Sequence, residues 1–176
     1  MSSPVEAIKE LRNLTNASVM DCKKALQEAS GDLKKAVELL RKRGMEIAAN
    51  KQGRLAKDGR VEAYIHLGSK IGVLVEVDCE TDFVARNSEF CQFTKDLAMQ
   101  IAACNPAYIK KEDVPEDVLK EQADKEAFYK AGCLLEQAFI KDPSLTIKDY
   151  LTSLIGKIGE NILIRRFVRY KVGVAE

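Results

Sequence analysis

Apolar residues recur at helical spacing through the first 44 positions, and three short helices follow from them. Val5, Ile8 and Leu11 share one face, Asn13 to Ala17 supplies a turn, and Ser18 stands as an N-cap with Asp21 three residues on. Val19, Cys22, Leu26 and Ala29 mark the stripe of a second helix, which Gly31 and Asp32 break. Leu33, Ala36, Val37 and Leu40 line a third, with the basic Arg41 to Arg43 at its dipole's negative end and Gly44 read as its stop. Met45 to Asp58 then reads as a short connecting helix that frays into a linker.

The period changes at Arg60. Val61, Ala63, Ile65 and Leu67 alternate with Glu62, Tyr64 and His66, which predicts a strand with its apolar side buried. After the tight Gly68–Ser69–Lys70 connection, Ile71, Val73, Val75, Val77 and Cys79 alternate again, so the two segments form an antiparallel hairpin. From Ser88 the helical period returns, with Phe90, Phe93, Leu97 and Ile101 on one face and an end near Asn105 and Pro106. A helix starting at Pro115 is expected to run toward Phe139 and to end at Asp142, Pro143 and Ser144. Thr146 caps a further helix carrying Ile147, Leu151, Leu154, Ile155 and Ile158, closed by Gly159, and Ile162 to Val172 is β-branched and aromatic enough for a last strand. The class is α+β: helices, then a small antiparallel sheet packed on helices. The boundaries are a three-helix module over 1–44, a linker helix over 45–59 and an α+β core over 60–176.

Composition narrows the function more than the fold. The 176 residues suit one compact domain or one with a small appended module, and 46% hydrophobic with 31% charged residues is globular. With 28 Lys and Arg against 27 Asp and Glu the net charge is +1, which gives little reason to expect nucleic acid as a partner. Lys34 to Lys57 is locally basic, as a solvated helix face would also be. Five dispersed cysteines, Cys22, Cys79, Cys91, Cys104 and Cys133, form no Cys-x-x-Cys pair and read as buried free thiols of a reducing compartment, with no disulfide framework and no metal site. Met1 to Asn13 lacks the apolar run of a secretory signal, and no membrane span is expected, which places the chain in the cytosol or in an organelle after processing. Gly68, Gly72, Gly156 and Gly159 are spaced as turn and cap glycines and cradle no phosphate, so direct nucleotide binding is not expected.

Two places hold candidate chemistry. His66, the single histidine, could pair with Cys79 on the adjacent strand as a base with its nucleophile, or stand as a satisfied surface histidine. The other is Cys79 to Asn87, CETDFVARN, at the junction of strand and helix. Thr81 and Asp82 are natural caps, and Phe83 puts a large aromatic at the start of the turn. Phe83 reads either as a staple onto the helix or as an exposed anchor for another protein, and the residues alone leave both open.

Four segments carry a resemblance: LRNLTNASVMDCKKAL (11–26), ETDFVARN (80–87), DLAMQIAACNPAYI (96–109) and IGKIGENILIRR (155–166). In this order they resemble the elongation factor Ts family over most of the chain. The resemblance implies an N-terminal ubiquitin-associated-like module and a dimerisation core, together opening elongation factor Tu so that GDP leaves, without a cofactor and without covalent chemistry. It maps the groove-entering motif of the family onto Thr81, Asp82 and Phe83. The module's contacts with the GTPase map onto Leu11, Val19 and Met20, and a core-surface contact onto His66. Compared with longer family members the chain lacks room for a second core, and 121–143 is too brief for a protruding helical hairpin. Two chains are therefore expected to pair about a two-fold axis. A different class of function, a ubiquitin-associated-like adaptor that binds passively, would work without Asp82 and Phe83.

Overall fold

The computed structural model describes residues 4–15 and 17–173. They divide into two compact units, one holding the residues through Arg54 together with Thr152–Asn161, the other holding Leu55–Leu151 and the residues from Ile162 on.

In the first unit α1 (Pro4–Thr15), α2 (Val19–Glu28) and α3 (Leu33–Lys51) close a small core. Ser18 caps α2, its Oγ accepting from Asp21 N at 3.1 Å, and Asp32 caps α3 by accepting from Lys35 N at 3.1 Å. Leu11, Cys22, Ala25, Leu26, Ala29, Ala36 and Leu40 are the buried cluster. The expected stripes hold except at Val5 and Val19, which are exposed. Asn13, Leu14 and Thr15, expected to belong to a turn over 13–17, are part of α1, and Asn16 of that stretch lies outside the described residues.

Gly44 does not end the third helix. α3 runs through it to Lys51, which removes the separate connecting helix expected after Met45. The glycine serves close approach instead: a Cβ built on Gly156 would sit 3.1 Å from Gly44 Cα. Gly156 therefore lies within α8 (Ile147–Ile158), not in a turn or cap. Gly159 does have the expected C-terminal role, at φ +80° with its N–H on Ile155 O at 2.8 Å.

In the second unit β1 (Asp58–Ile65), β2 (Ile71–Cys79) and β5 (Leu163–Lys171) form an antiparallel sheet in the order β1-β2-β5. One face packs on α5 (Ser88–Cys104), where Val73, Val75, Val77 and Cys79 are buried along with Phe90, Phe93, Leu97 and Ile101. β1 is turned over relative to its apolar pattern: Val61, Ala63 and Ile65 are exposed, while Arg60, Glu62 and Tyr64 are half-buried. The polar face goes inward because α5 satisfies it, Thr94 Oγ1 donating to Glu62 at 3.3 Å and Arg60 donating to Cys91 Sγ at 3.3 Å. Val61, Ile65, Leu74, Val168 and Tyr170 consequently share the sheet's open face.

The single helix expected from Pro115 to Phe139 is replaced by α6 (Glu116–Lys120), α7 (Lys125–Gly132), β3 (Ala138–Phe139) and β4 (Asp142–Thr146). Asp124 starts α7 anew, accepting from Ala127 N at 3.0 Å, and buried Gln100 on α5 holds the next stretch by accepting from Ile140 N at 2.9 Å and donating to Ala138 O at 3.1 Å. Asp142 to Ser144, expected to end a helix, opens β4. Thr146 caps α8 as expected, accepting from Asp149 N at 3.0 Å. No helix among the described residues is long and apolar enough to cross a membrane.

Candidate functional site

Between β2 and α5 the chain makes one short helical turn, α4 (Asp82–Ala85). Four residues cannot hold a helix by propensity, so the turn is fixed from both ends and from beneath. Thr81 Oγ1 accepts from Val84 N at its start. Asn87 N donates to Val84 O at 2.9 Å, and the Asn87 side chain then caps α5, accepting from Glu89 N at 2.8 Å. Val84 and Ala85 are buried and anchor the turn inward.

That anchoring decides what faces out. Phe83 is 83% exposed, one of the largest apolar side chains left open to solvent, so it is not a staple onto α5. Asp82 beside it is half-exposed, with Arg86 Nη2 3.1 Å from its Oδ2. The sequence marked Phe83 as out of place but not Val84 and Ala85, the two residues that direct it outward; a pair of small apolar residues directly after a capped aromatic was the available signal.

The other candidates fall in different places. Val19 and Met20, 50% and 59% exposed, open the first turn of α2, so both offer surface. Leu11 does not: it is fully buried at the centre of the three-helix core, and its part is to hold the module that displays Val19 and Met20. His66 is exposed at the β1–β2 connection, its Nδ1 3.0 Å from Tyr64 Oη. The Cys–His arrangement is ruled out by register. Asp58 lies opposite Cys79 and Ile65 opposite Gly72, so the length of the hairpin, about 23 Å at strand rise, separates thiol from imidazole. Cys79 is buried with its thiol donating to Thr81 O at 3.2 Å. Cys22 and Cys133 are buried too, while Cys91 and Cys104 are half-buried rather than fully enclosed as expected. Burial pushes the thiols of Cys22, Cys104 and Cys133 up from the ordinary range, away from the reactive thiolate.

The exposed corner lies within a wider match. The sequence pattern described as elongation factor TS fits residues 5–127, well over half of the chain. The chain belongs to the elongation factor Ts family. Elongation factor Ts of Carboxydothermus hydrogenoformans is 51% identical over 191 aligned positions, covering 96% of this chain and 88% of that protein. Elongation factor Ts of Thermoanaerobacter sp. is 52% identical, with 96% and 94% covered, and that of Thermodesulfovibrio yellowstonii 45% identical, with 98% of each covered. These alignments run over 191 to 195 positions against the 176 residues here, so each relative carries stretches that this chain lacks. Membership makes the chain a translation elongation factor, with the α+β core of the family built on the sheet and α5 described above.

Proposed function

We propose that the chain is a guanine-nucleotide exchange factor that binds elongation factor Tu in the cytoplasm and promotes GDP release by inserting the Asp82–Phe83 corner near the magnesium and phosphate site. The observation that carries this reading is the exposure of Phe83 on a turn capped at both ends. A phenyl ring held out in water contributes nothing to its own fold, whereas burying it in a partner is worth about 2 kcal/mol. An exchange factor must bind the nucleotide-free GTPase more tightly than the GDP form, and linkage lowers GDP affinity by the same factor. About 1.4 kcal/mol of such differential contact gives each tenfold, so one ring accounts for a substantial part. Val19 and Met20 supply a second contact, Thr81 caps the corner, His66 adds a separate contact a hairpin's length away at the β1–β2 connection, and Leu11 supports the module from within. No proton transfer and no nucleotide site of the chain's own are required.

The open sheet face supports pairing of two chains. Val61, Ile65, Leu74, Val168 and Tyr170 leave an apolar surface around the Arg166–Glu76 pair, and a two-fold axis would set this face against its own copy. Sedimentation velocity checks it: a dimer is expected at micromolar concentration, converted to monomer by Leu74→Asp, and a wild-type monomer with full exchange activity would reject it.

The function itself is tested by release of fluorescent GDP from elongation factor Tu in the presence of excess unlabelled GDP. Substoichiometric amounts of the chain are expected to accelerate release. Binding without acceleration would make the protein a passive adaptor and overturn the reading.

A further inference from the structure

The corner ends on a residue to which the exchange reading gives no part. After Val84 and Ala85 turn inward, Arg86 comes out again, four positions from Asp82 and three from Phe83, and so on the same face of the turn. Its guanidinium lies 3.1 Å from the Asp82 carboxylate, with side-chain exposures of 81% and 47%. A pair as wet as this contributes little to the stability of the free chain. Fold maintenance is therefore a poor account of it, particularly as the turn is already held by the Thr81 and Asn87 caps and by two buried side chains.

Docking reverses the balance. A carboxylate carried into an interface loses its water, and an uncompensated charge there is costly. A countercharge on the next turn travels in with it, and a planar guanidinium fixes the carboxylate's direction better than an ammonium does. We propose that Arg86 is a positioning residue of the exchange reaction, aiming the Asp82 carboxylate and carrying its countercharge into the interface with the GTPase; this rests on the corner reading above. The cost of removing Arg86 then arises only when Asp82 is present and the partner is bound.

The experiment is GDP release from elongation factor Tu by the full chain, with Arg86→Ala, Arg86→Lys, Asp82→Ala and Asp82→Ala/Arg86→Ala compared, and Phe83→Ala alongside. Arg86→Ala is expected to lower kcat/KM at least roughly tenfold with an unchanged thermal midpoint, as for one half of a desolvated pair. Arg86→Lys should lose less, and the double variant should be no slower than Asp82→Ala alone, because partners in one interaction are not additive. Effects that multiply in the double variant, or an Arg86→Ala loss matched by a fallen thermal midpoint that Arg86→Lys shares, would overturn the inference. Arg86→Ala releasing GDP at the wild-type rate while Phe83→Ala is slow would overturn it and leave the corner reading standing. Wild-type rates for Asp82→Ala and Phe83→Ala as well would remove both.

Discussion

Among the described residues, two helix starts capped by a hydroxyl carry exposed apolar side chains, Thr81–Phe83 on α4 and Ser18–Met20 on α2, and behind similar caps they are supported in opposite ways. Each hydroxyl accepts from the backbone N–H three residues on. Behind Ser18 stands a ten-residue helix whose inner stripe is sealed into a cluster drawn from three helices. Behind Thr81 stand four residues, two of them buried, and then a second cap that opens the seventeen-residue α5. The first surface is as rigid as its small core, and the second is as rigid as its local hydrogen bonds and the helix it abuts. Stability and function should therefore separate differently in the two.

Phe93→Ala removes a fully buried ring of α5 within the corner's own unit and should cost about 4 kcal/mol in denaturant unfolding. It should take the corner with it. Leu11→Ala, in the smaller core, is expected to cost about 3 kcal/mol and to lower amide-exchange protection in α1 to α3 while leaving that of α5 and the sheet unchanged. Equal loss in both units would break the comparison. The caps sharpen it: Asn87→Ala and Ser18→Ala should each cost about 1 kcal/mol, yet Asn87→Ala should slow GDP release and Ser18→Ala should chiefly weaken binding. Smallest is the stability change for Arg86→Ala, below about 0.5 kcal/mol by thermal unfolding, as suits a side chain so open to water.

Legibility followed the range of the interactions. α2, α5 and α8 could be read because Ser18, Asn105, Thr146 and Gly159 act on their own neighbours. The 106–146 segment could not, since its form depends on distant partners: Ala107 and Tyr108 N–H groups on Gly132 O, Leu134 N on Tyr108 O, and Gln100 across to Ile140. Gly44 looked like a helix stop because its reason for being glycine, Gly156, is more than a hundred residues away. β1 faced the wrong way for the same kind of reason, as only the placement of Thr94 and Cys91 on α5 makes burial of Glu62 and Arg60 affordable. At the candidate site the oddity of Phe83 was visible, but its direction was set by which of its neighbours found a pocket. Leu11 shows the converse, a residue matched by its motif to a contact surface that packing placed at the centre of a core.

The central claim is that the Phe83 side chain acts on the partner and not on its own fold. The most direct measurement is the GDP release rate of elongation factor Tu at saturating Phe83→Ala, taken beside that variant's thermal midpoint. The account predicts a rate fallen most of the way to spontaneous release with the midpoint unmoved. Wild-type acceleration by the truncated side chain would contradict it.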